Sequence, residues 1–388
     1  MTRLPSFSFS TVPHLLSQTG AVQHLGKLIA ERFPAVRRAL IVTDPGFLRT
    51  GLIEAPRASL AANGIHSEIF AEVVADPPEA VVRAAAAYAG DQGVDLVIGF
   101  GGGSSMDVAK LIAVLAGHEQ SLSSMYGIGN VKGERLPLVQ IPTTAGTGSE
   151  VTNIAIVTTG ETTKMGVVAP QLYADMAILD AELTLGLPAP VTAATGIDAM
   201  VHAIEAYTSR HKKNPVSDGL ARQALQLLSR NIITACEHGD DLDARQAMLL
   251  GACLAGQAFA NAPVAAVHAL AYPIGGIFHV PHGLSNSLGL PHVLHFNLPT
   301  AAGLYAELAG CVVPAAEGSE EARAEALIVA MQQIAKSTGI ETTLQQVGIG
   351  LDDLDRLADD AMLQTRLLGN NPRELSRDDA YAIYAAAL

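Results

Sequence analysis

The sequence predicts an α/β domain followed by an all-α domain, and three observations support this. Its 388 residues exceed the usual size of one domain. The first part alternates short apolar runs with amphipathic runs of helix length. Beyond residue 187, Ala-rich segments with a 3.6-residue period dominate and strand-like runs are nearly absent. We place the domains at 1–187 and 188–388, because Pro188 and Pro190 interrupt both helices and central strands.

Apolar runs in the first domain predict strands, and their near-continuous apolar character indicates a parallel, Rossmann-like sheet covered on both faces. The runs are ALIVT (39–43), SEIFAEV (67–73), DLVIGF (95–100), LPLVQIP (136–142), NIAIVTT (153–159), KMGVVA (164–169) and DMAILD (175–180). Helices are predicted between some of these runs, from Glu79 to Tyr88 and from Met106 to Leu115. In the second domain, periodicity predicts helices over 197–208, 217–236, 243–262, 300–313 and 319–338.

Composition limits the class of protein. Apolar residues make up 49% of the chain and charged residues 16%, which is typical of a globular protein. The net charge is -14 and Lys and Arg form no stripe, so we expect no nucleic-acid partner. The N-terminal segment lacks a signal-peptide core and no 18-residue window is uninterruptedly apolar, so we expect a cytoplasmic protein without a membrane partner. Cys236, Cys253 and Cys311 are expected to be buried free thiols in a reducing compartment.

A glycine cluster, GGGSSMDVAK at 101–110, follows a predicted strand and opens a helix. Backbone N–H groups can approach a pyrophosphate there, and the helix N-terminus favours negative charge. A plain turn is the alternative. The cluster is not G-x-G-x-x-G, and the best ribose carboxylate, Asp44, precedes the glycines instead of following them. A dinucleotide would therefore bind by a different arrangement.

A second loop, IPTTAGTGSEVT at 141–152, offers hydroxyls beside glycines that suit a phosphate or nicotinamide site. Such a loop is also common without a ligand.

Carboxylate and imidazole groups in the helical domain predict a divalent metal site. Asp198 and His202 are four residues apart, so they share one helix face. Five histidines follow within 28 residues: His268, His279, His282, His292 and His295. Any single one has a structural alternative, but an unpartnered imidazole in the apolar stretch around His268 would be costly, and His282 follows a turn.

Five separated segments resemble the iron-containing (group III) alcohol dehydrogenase family, from about residue 6 to the C-terminus. They are GGGSSMDVAK, IPTTAGTGSEVT, ATGIDAMVHAIEAY, VHALAYPIGGIFHVPHGLSN and NPRELSRDDAYAIYAAAL. The resemblance implies a dehydroquinate-synthase-like architecture with metal and nicotinamide in a cleft between the domains. It also implies an NAD-dependent dehydrogenase and a homodimer or higher homo-oligomer.

The resemblance assigns roles to individual residues. The implied metal ligands are Asp198, His202, His268 and His282, which would hold Fe(II), with Zn(II) as an alternative because imidazole-rich sites hold it more tightly. On the cofactor side it implies Asp44 at the ribose, Gly101, Gly102, Gly103, Ser104 and Asp107 at the pyrophosphate, Thr143, Thr144, Thr147 and Ser149 around the phosphates and nicotinamide, and Lys164. Phe259 would line the alcohol pocket.

Tyr272 departs from the family pattern, in which many members have a histidine. Tyr272 lies four residues after His268, so on a continuing helix it would face the substrate oxygen and act as a hydrogen-bond donor. The alternative is that Tyr272 only packs against the cleft. The expected reaction is reversible oxidation of a small primary alcohol or diol to the aldehyde, with hydride transfer to NAD. A 4-hydroxybutyrate-type dehydrogenase or a hydroxyacid-oxoacid transhydrogenase is one alternative. A dehydroquinate-synthase-like lyase is another, although the histidine-rich segment lacks the Lys and Arg that a phosphorylated substrate needs.

Overall fold

The computed structural model describes residues 6–160 and 163–388. It contains two compact units. One comprises 11–144 and 148–185, and the other comprises 6–10, 145–147 and 186–388 within the described residues. The limits 1–187 and 188–388 stay a prediction for the domains, and the two short segments that group with the second unit were not expected.

The first unit is built on a six-stranded, fully parallel sheet of strand order β1-β9-β6-β4-β2-β3. A second, three-stranded sheet has the order β5-β8-β7. The strands are β1 Leu15–Ser17, β2 Arg38–Val42, β3 His66–Phe70, β4 Leu96–Gly101, β5 Gly127–Ile128, β6 Leu138–Pro142, β7 Ile154–Thr159, β8 Thr163–Val168 and β9 Met176–Leu179. All seven predicted strands are present, and the parallel sheet is confirmed.

The central strands are buried along their whole length. Every residue of β4, β6 and β9 is buried, which a strand needs both faces covered to achieve. By contrast, β7 and β8 pair antiparallel outside the main sheet and are only partly buried. The alternating exposure of this hairpin is typical of a sheet with one solvated face.

Within its described residues, this unit contains five α-helices. They are α1 Leu25–Arg32, α2 Pro45–Leu48, α3 Glu54–Ala62, α4 Glu79–Gln92 and α5 Gly103–Gly117. The two predicted helices correspond to α4 and α5, and each extends beyond its predicted limits.

The second unit is helical, as predicted, and residues 188–388, all of them described, contain no strand. Its helices are α6 Ala189–Thr208, α7 Pro215–Glu237, α8 Leu242–Asn261, α9 Ala266–Phe278, α10 His282–Val312, α11 Glu320–Ser337, α12 Leu354–Ala361, α13 Thr365–Leu368 and α14 Arg377–Ala386.

One helix is much longer than expected. The helix predicted over 300–313 is the last part of α10, which has 31 residues and contains Pro291 and Pro299. Proline commonly occupies the first helical position, so Pro299 imitates a helix start in the sequence.

None of the three cysteines forms a disulfide in the described structure. Cys253 and Cys311 are buried, as predicted, whereas Cys236 is half-buried because it lies at the end of α7. Among the described residues, no single helix has the length and apolar content needed to span a bilayer. The α8 and α9 helices meet that requirement only as a pair, bent by 108°.

Candidate active site

The central helix of the helical unit, α6, carries the first two predicted ligands. It packs against α7, α8 and α10, and its residues from Gly196 to Thr208 are all buried. Polar side chains on such a helix are costly unless they have partners. Asp198 is 2% exposed and His202 5%, so both need a partner in the protein or a bound ligand.

Three imidazoles surround the carboxylate of Asp198. The distances from Asp198 Oδ1 to Nε2 of His202, His268 and His282 are 3.9, 3.8 and 3.8 Å. The ligand atoms of Asp198, His268 and His282 all lie within 4.8 Å of one another. Within the described residues, His268 Nε2 is buried without a hydrogen-bond partner. This donor set suits a divalent ion such as Fe(II) or Zn(II), which would occupy that unused acceptor.

A close helix contact explains how His282 reaches α6. His282 is the first residue of α10 and is followed by Gly283. A Cβ atom at position 283 would lie 2.4 Å from the carbonyl oxygen of Ala194 on α6. The start of α10 can therefore approach α6 only because residue 283 has no side chain.

Burial keeps the imidazole of His202 neutral. It lowers the pKa of His202 to about 3, although Asp198 opposes the shift. Burial alone would raise the pKa of Asp198, but the surrounding imidazoles and the amide of Asn286 bring it below its ordinary value. A neutral imidazole at His202 and an ionised carboxylate at Asp198 are the protonation states that metal binding requires.

Asn286 also contacts the cluster, and sequence analysis did not identify it. Its Nδ2 donates to Asp198 Oδ1 at 2.6 Å and lies 3.2 Å from Nε2 of His282. It is one helical turn after His282 on α10, which is the only sequence signal for it.

Glu205 is a second residue that sequence analysis missed. Its carboxylate accepts from Nδ1 of His268 at 2.7 Å and from the backbone N–H groups of Ala265 and Val267 at 2.9 and 2.7 Å. Its position on α6, three residues after His202, places it near the same helix face.

Phe259 and Tyr272 flank the cluster. The ring of Phe259 stacks on His202 with centroids 4.4 Å apart, and His202 in turn stacks on His268 at 4.7 Å. The ring centroid of Tyr272 lies 6.0 Å from that of His282. The α9 helix does continue through Tyr272, even with Pro273 inside it, so the predicted i, i+4 relation to His268 holds.

The other histidines of the segment lie elsewhere. His279 is exposed and ends α9 in the left-handed conformation, at φ 57°. His292 lines a cavity with Lys336 and Thr343, and His295 lies 3.6 Å from Glu325. Of the five histidines, only His268 and His282 are among the described residues that surround Asp198.

In the α/β unit, the predicted cofactor residues gather at one edge of the main sheet. Asp44, Gly102 and Thr143 follow the neighbouring parallel strands β2, β4 and β6, whose carboxyl ends lie together. Gly101 allows a close approach of Ser105, because a Cβ at position 101 would lie 2.7 Å from Ser105 Oγ and 2.8 Å from Ser105 Cβ. A Cβ at position 102 would make only ordinary contacts, the nearest at 3.7 Å from Thr144 Oγ1.

The N-terminus of α5 lies at this edge. Gly102 is the N-cap residue and, as a glycine, supplies no side-chain cap to the first-turn N–H groups of α5, which include those of Gly103 and Ser104. Asp44 caps the short helix α2, where Oδ1 accepts from the backbone N–H of Phe47 at 2.9 Å, and Oδ2 would lie 3.6 Å from a Cβ added at position 101. This geometry suits an anionic ligand on α5 and a hydroxyl near Asp44.

Asp107 belongs to a buried network. It accepts from Ser149 Oγ at 2.6 Å, from the backbone N–H of Ile156 at 2.9 Å and from Lys110 Nζ at 3.2 Å. Lys110 is fully buried and also donates to Ser149 Oγ at 2.7 Å, to Thr152 Oγ1 and to the carbonyl of Ile154. Burial lowers the pKa of Lys110, and the Asp107 carboxylate opposes that shift.

Two other predicted cofactor residues have separate surroundings. Lys164 on β8 pairs with Asp76 at 2.7 Å. Thr147 groups with the helical unit, because Gly146 beside it packs against α6, where an added Cβ would lie 2.7 Å from Cβ of Thr195.

Comparison with known families covers both units. Residues 13–181 match the model for iron-containing alcohol dehydrogenase, and residues 192–388 match the C-terminal model of the Fe-containing alcohol dehydrogenase family. The chain belongs to the iron-containing alcohol dehydrogenase family. The resemblance found in the sequence is thereby confirmed, together with the fold class and the assignment as an oxidoreductase.

Individual family members are similar over nearly their whole length. Long-chain-alcohol dehydrogenase 1 of Geobacillus thermodenitrificans is 42% identical over 355 residues, which cover 90% of this chain and 89% of that protein. A solved structure of 1,3-propanediol oxidoreductase has a TM-score of 0.95 at 34% identity, covering 99% and 100% of the two chains. The sulfoacetaldehyde reductase of Bifidobacterium kashiwanohense, solved with NAD+, has a TM-score of 0.89 at 26% identity and covers 99% of both chains.

Proposed function

We propose that this iron-type dehydrogenase catalyses the reversible oxidation of a small primary alcohol or diol to its aldehyde, with NAD as hydride acceptor and a divalent metal ion in the helical unit. The observation that carries the proposal is the convergence of three imidazoles on Asp198, with His268 Nε2 buried and unpaired among the described residues. A buried hydrogen-bond acceptor without a partner lowers the stability of the folded protein, so a cluster with a purely structural role is not expected to contain one.

Asp198, His202, His268 and His282 would hold the ion, Fe(II) by family and Zn(II) where zinc is more available. When bound, the ion supplies a Lewis acid that lowers the pKa of the alcohol, and NAD accepts the hydride. Asn286 orients Asp198 by its hydrogen bond of 2.6 Å. Phe259 and Tyr272 form walls beside the ligands, and the Tyr272 hydroxyl can donate a hydrogen bond to a substrate oxygen.

The sheet edge of the α/β unit would bind NAD. We assign the pyrophosphate to the N-terminus of α5 at Gly102, Gly103 and Ser104, which the Asp107 network holds in place through Ser149. Asp44 would accept a hydrogen bond from the ribose 2′-hydroxyl and repel a 2′-phosphate, so NAD should be preferred over NADP. Asp44→Gly should reduce that preference by roughly ten- to a hundredfold. Equal kcat/KM for both cofactors in the unchanged enzyme would contradict the role of Asp44.

Four further predicted residues complete this cofactor set. Thr143, Thr144 and Thr147 would supply hydroxyls near the phosphates and nicotinamide. Lys164 would act near the cofactor, although its present partner is Asp76.

Two observations support the proposed substrate class: the names of the related proteins, and the engagement of the basic residues Arg245 and Lys213. The related proteins are named for alcohols, a diol or an aldehyde. A lyase acting on a phosphorylated substrate would need available cations, but Arg245 bonds Thr192 and two backbone carbonyls, and Lys213 pairs with Asp218 at 2.8 Å. We therefore favour an alcohol substrate over the phosphorylated substrate of a dehydroquinate-synthase-like lyase.

A substrate panel tests the proposal. The metal-free protein is reloaded with Fe(II) or Zn(II), and NADH absorbance is followed with short alcohols, 1,3-propanediol and 4-hydroxybutyrate, and in reverse with the aldehydes. We expect the metal-loaded enzyme to turn over alcohols or diols, and we expect the metal-free protein to be inactive. Turnover of 4-hydroxybutyrate alone would transfer the assignment to the hydroxy acid alternative, and equal activity without metal would contradict the mechanism.

Cytoplasmic location and a homodimeric state stay predictions. Cell fractionation and light scattering of the purified protein test them.

A further inference from the structure

We infer that Glu205 is a positioning residue for the metal centre. It fixes the tautomer and the orientation of His268 and thereby sets the affinity for the divalent ion. The inference rests on the proposed function, because it requires that His268 bind a metal through Nε2.

The carboxylate of Glu205 is fully engaged by N–H donors. It is 4% exposed and lies on α6, one turn beyond His202. Oε1 accepts from the backbone N–H of Val267 at 2.7 Å, and Oε2 accepts from the N–H of Ala265 at 2.9 Å and from Nδ1 of His268 at 2.7 Å. In all three contacts the N–H group is the donor, so the carboxylate of Glu205 acts as the acceptor in each.

This arrangement selects one tautomer of His268. With Nδ1–H donating to Glu205, the lone pair of Nε2 points away from Glu205 and is available to a ligand. The other tautomer would oppose a lone pair to the carboxylate and bury an Nε2–H whose nearest carboxylate oxygen, Asp198 Oδ1, is 3.8 Å away. The absence of any described partner for Nε2 agrees with the first tautomer.

Glu205 also holds the backbone that carries His268. The N-cap residue of α9 is Ala265, which makes no side-chain capping bond. Glu205 supplies that cap from another helix by accepting from the N–H groups of Ala265 and Val267. A negative charge at a helix N-terminus is favourable. One side chain thus ties the start of α9 to the helix that bears Asp198 and His202.

The test is zinc affinity measured by competition with a chelator on metal-free protein. Glu205→Gln keeps the size of the side chain but turns an amide donor toward one of the N–H groups. We expect zinc binding to weaken by about ten- to a hundredfold, the usual effect of losing a group that orients a ligand. Asp180→Asn is the matched control, because Asp180 is also a buried carboxylate that accepts from backbone N–H groups, those of Gly20 and Val22 at 2.9 and 3.1 Å. That variant should keep its zinc affinity.

A double-mutant cycle separates positioning from general stability. In a His268→Ala background, Glu205→Gln should change zinc affinity by less than about threefold, since the ligand it orients is gone. An equal loss in both backgrounds would give Glu205 a purely structural role and overturn the inference. If His268→Ala alone left zinc affinity unchanged, the proposed ligand set would fail. A loss with His268→Ala but none with Glu205→Gln would reject only the role of Glu205.

A measurement on the unchanged chain covers the case in which Glu205→Gln does not fold. Nitrogen-15 NMR of the metal-free protein, with the His268 signals assigned by their loss in His268→Ala, reports which ring nitrogen carries hydrogen. The inference requires the Nδ1–H tautomer. An Nε2–H tautomer would overturn it.

Discussion

Two carboxylates have different surroundings: Asp198 in the helical unit is buried, and Asp107 in the α/β unit is partly buried beside the fully buried Lys110. Asp107 is matched by donors on both oxygens, and the buried ammonium of Lys110 beside it also finds hydroxyl and carbonyl acceptors. Asp198 accepts one hydrogen bond, from Asn286 Nδ2 at 2.6 Å, while its three imidazole neighbours lie 3.8 to 3.9 Å away, too far for hydrogen bonds. The donors and acceptors around Asp107 are matched within the protein, whereas Nε2 of His268, beside Asp198, is buried without a hydrogen-bond partner among the described residues.

This difference indicates what each region contributes. A satisfied network such as that of Asp107 rigidifies the loop it supports. A cluster with an unpaired buried acceptor costs roughly 1 to 3 kcal/mol until a ligand satisfies it. Substitutions around Asp107 should therefore reduce the stability of the protein, and substitutions around Asp198 should reduce its metal content.

The largest effect is expected for His268→Ala. Removing one of the four proposed ligands should lower metal content and reduce kcat/KM by roughly a thousandfold, equivalent to about 4 kcal/mol. Elemental analysis and NADH-linked kinetics measure both. His279→Ala, at an exposed position, is the control and should be close to unchanged. Full metal occupancy and normal activity in His268→Ala would disprove the ligand assignment.

Lys110→Met should reduce stability and leave the metal content unchanged, the opposite of what is expected for His268→Ala. It leaves Asp107 without its buried cation, so the free energy of unfolding should fall by about 3 kcal/mol, while metal stoichiometry stays the same. Denaturant unfolding and elemental analysis distinguish the two outcomes, with exposed Lys336→Met as control. Loss of metal at unchanged stability would remove the contrast between the regions.

Gly283→Ala should have an intermediate effect, which we expect to see in the metal affinity. The new methyl group would meet the Ala194 carbonyl and displace the start of α10, and with it His282, at a cost of about 1 to 2 kcal/mol. Zinc affinity should fall about tenfold. Gly289→Ala on the same helix is the matched control, since a Cβ there meets nothing within 4 Å. Equal zinc affinities in the two variants would refute the close-approach argument.

Tyr272→Phe should have the smallest effect. Only the hydroxyl is lost, so metal and NAD affinity should persist, while kcat falls a fewfold or substrate preference shifts. Steady-state kinetics with short alcohols and 4-hydroxybutyrate would detect the change. Unchanged kinetics across the panel would leave Tyr272 as a packing residue.

The sequence predicted those features that depend on local pattern. Strands such as β4 were found because a parallel strand reads as a continuous apolar run. Asp198 and His202 stood out because a four-residue spacing places them on one helix face. The start of α10 was missed because proline inside a helix imitates a boundary.

Long-range partners could not be predicted in the same way. Glu205 and His268 are 63 residues apart in the sequence, so no local spacing indicates the contact between them. Lys110 looks like an ordinary surface lysine until its burial is known, because lysines are almost never fully buried. The residues that orient the site therefore emerged only from the structure.

Anomalous diffraction at the metal absorption edge, on crystals of the loaded enzyme, tests the central claim most directly. We predict one peak at about 2.0 to 2.2 Å from an oxygen of Asp198 and from Nε2 of His202, His268 and His282. A peak elsewhere, for instance in the cavity beside His292 and Lys336, or full activity in crystals without any peak, would contradict the account.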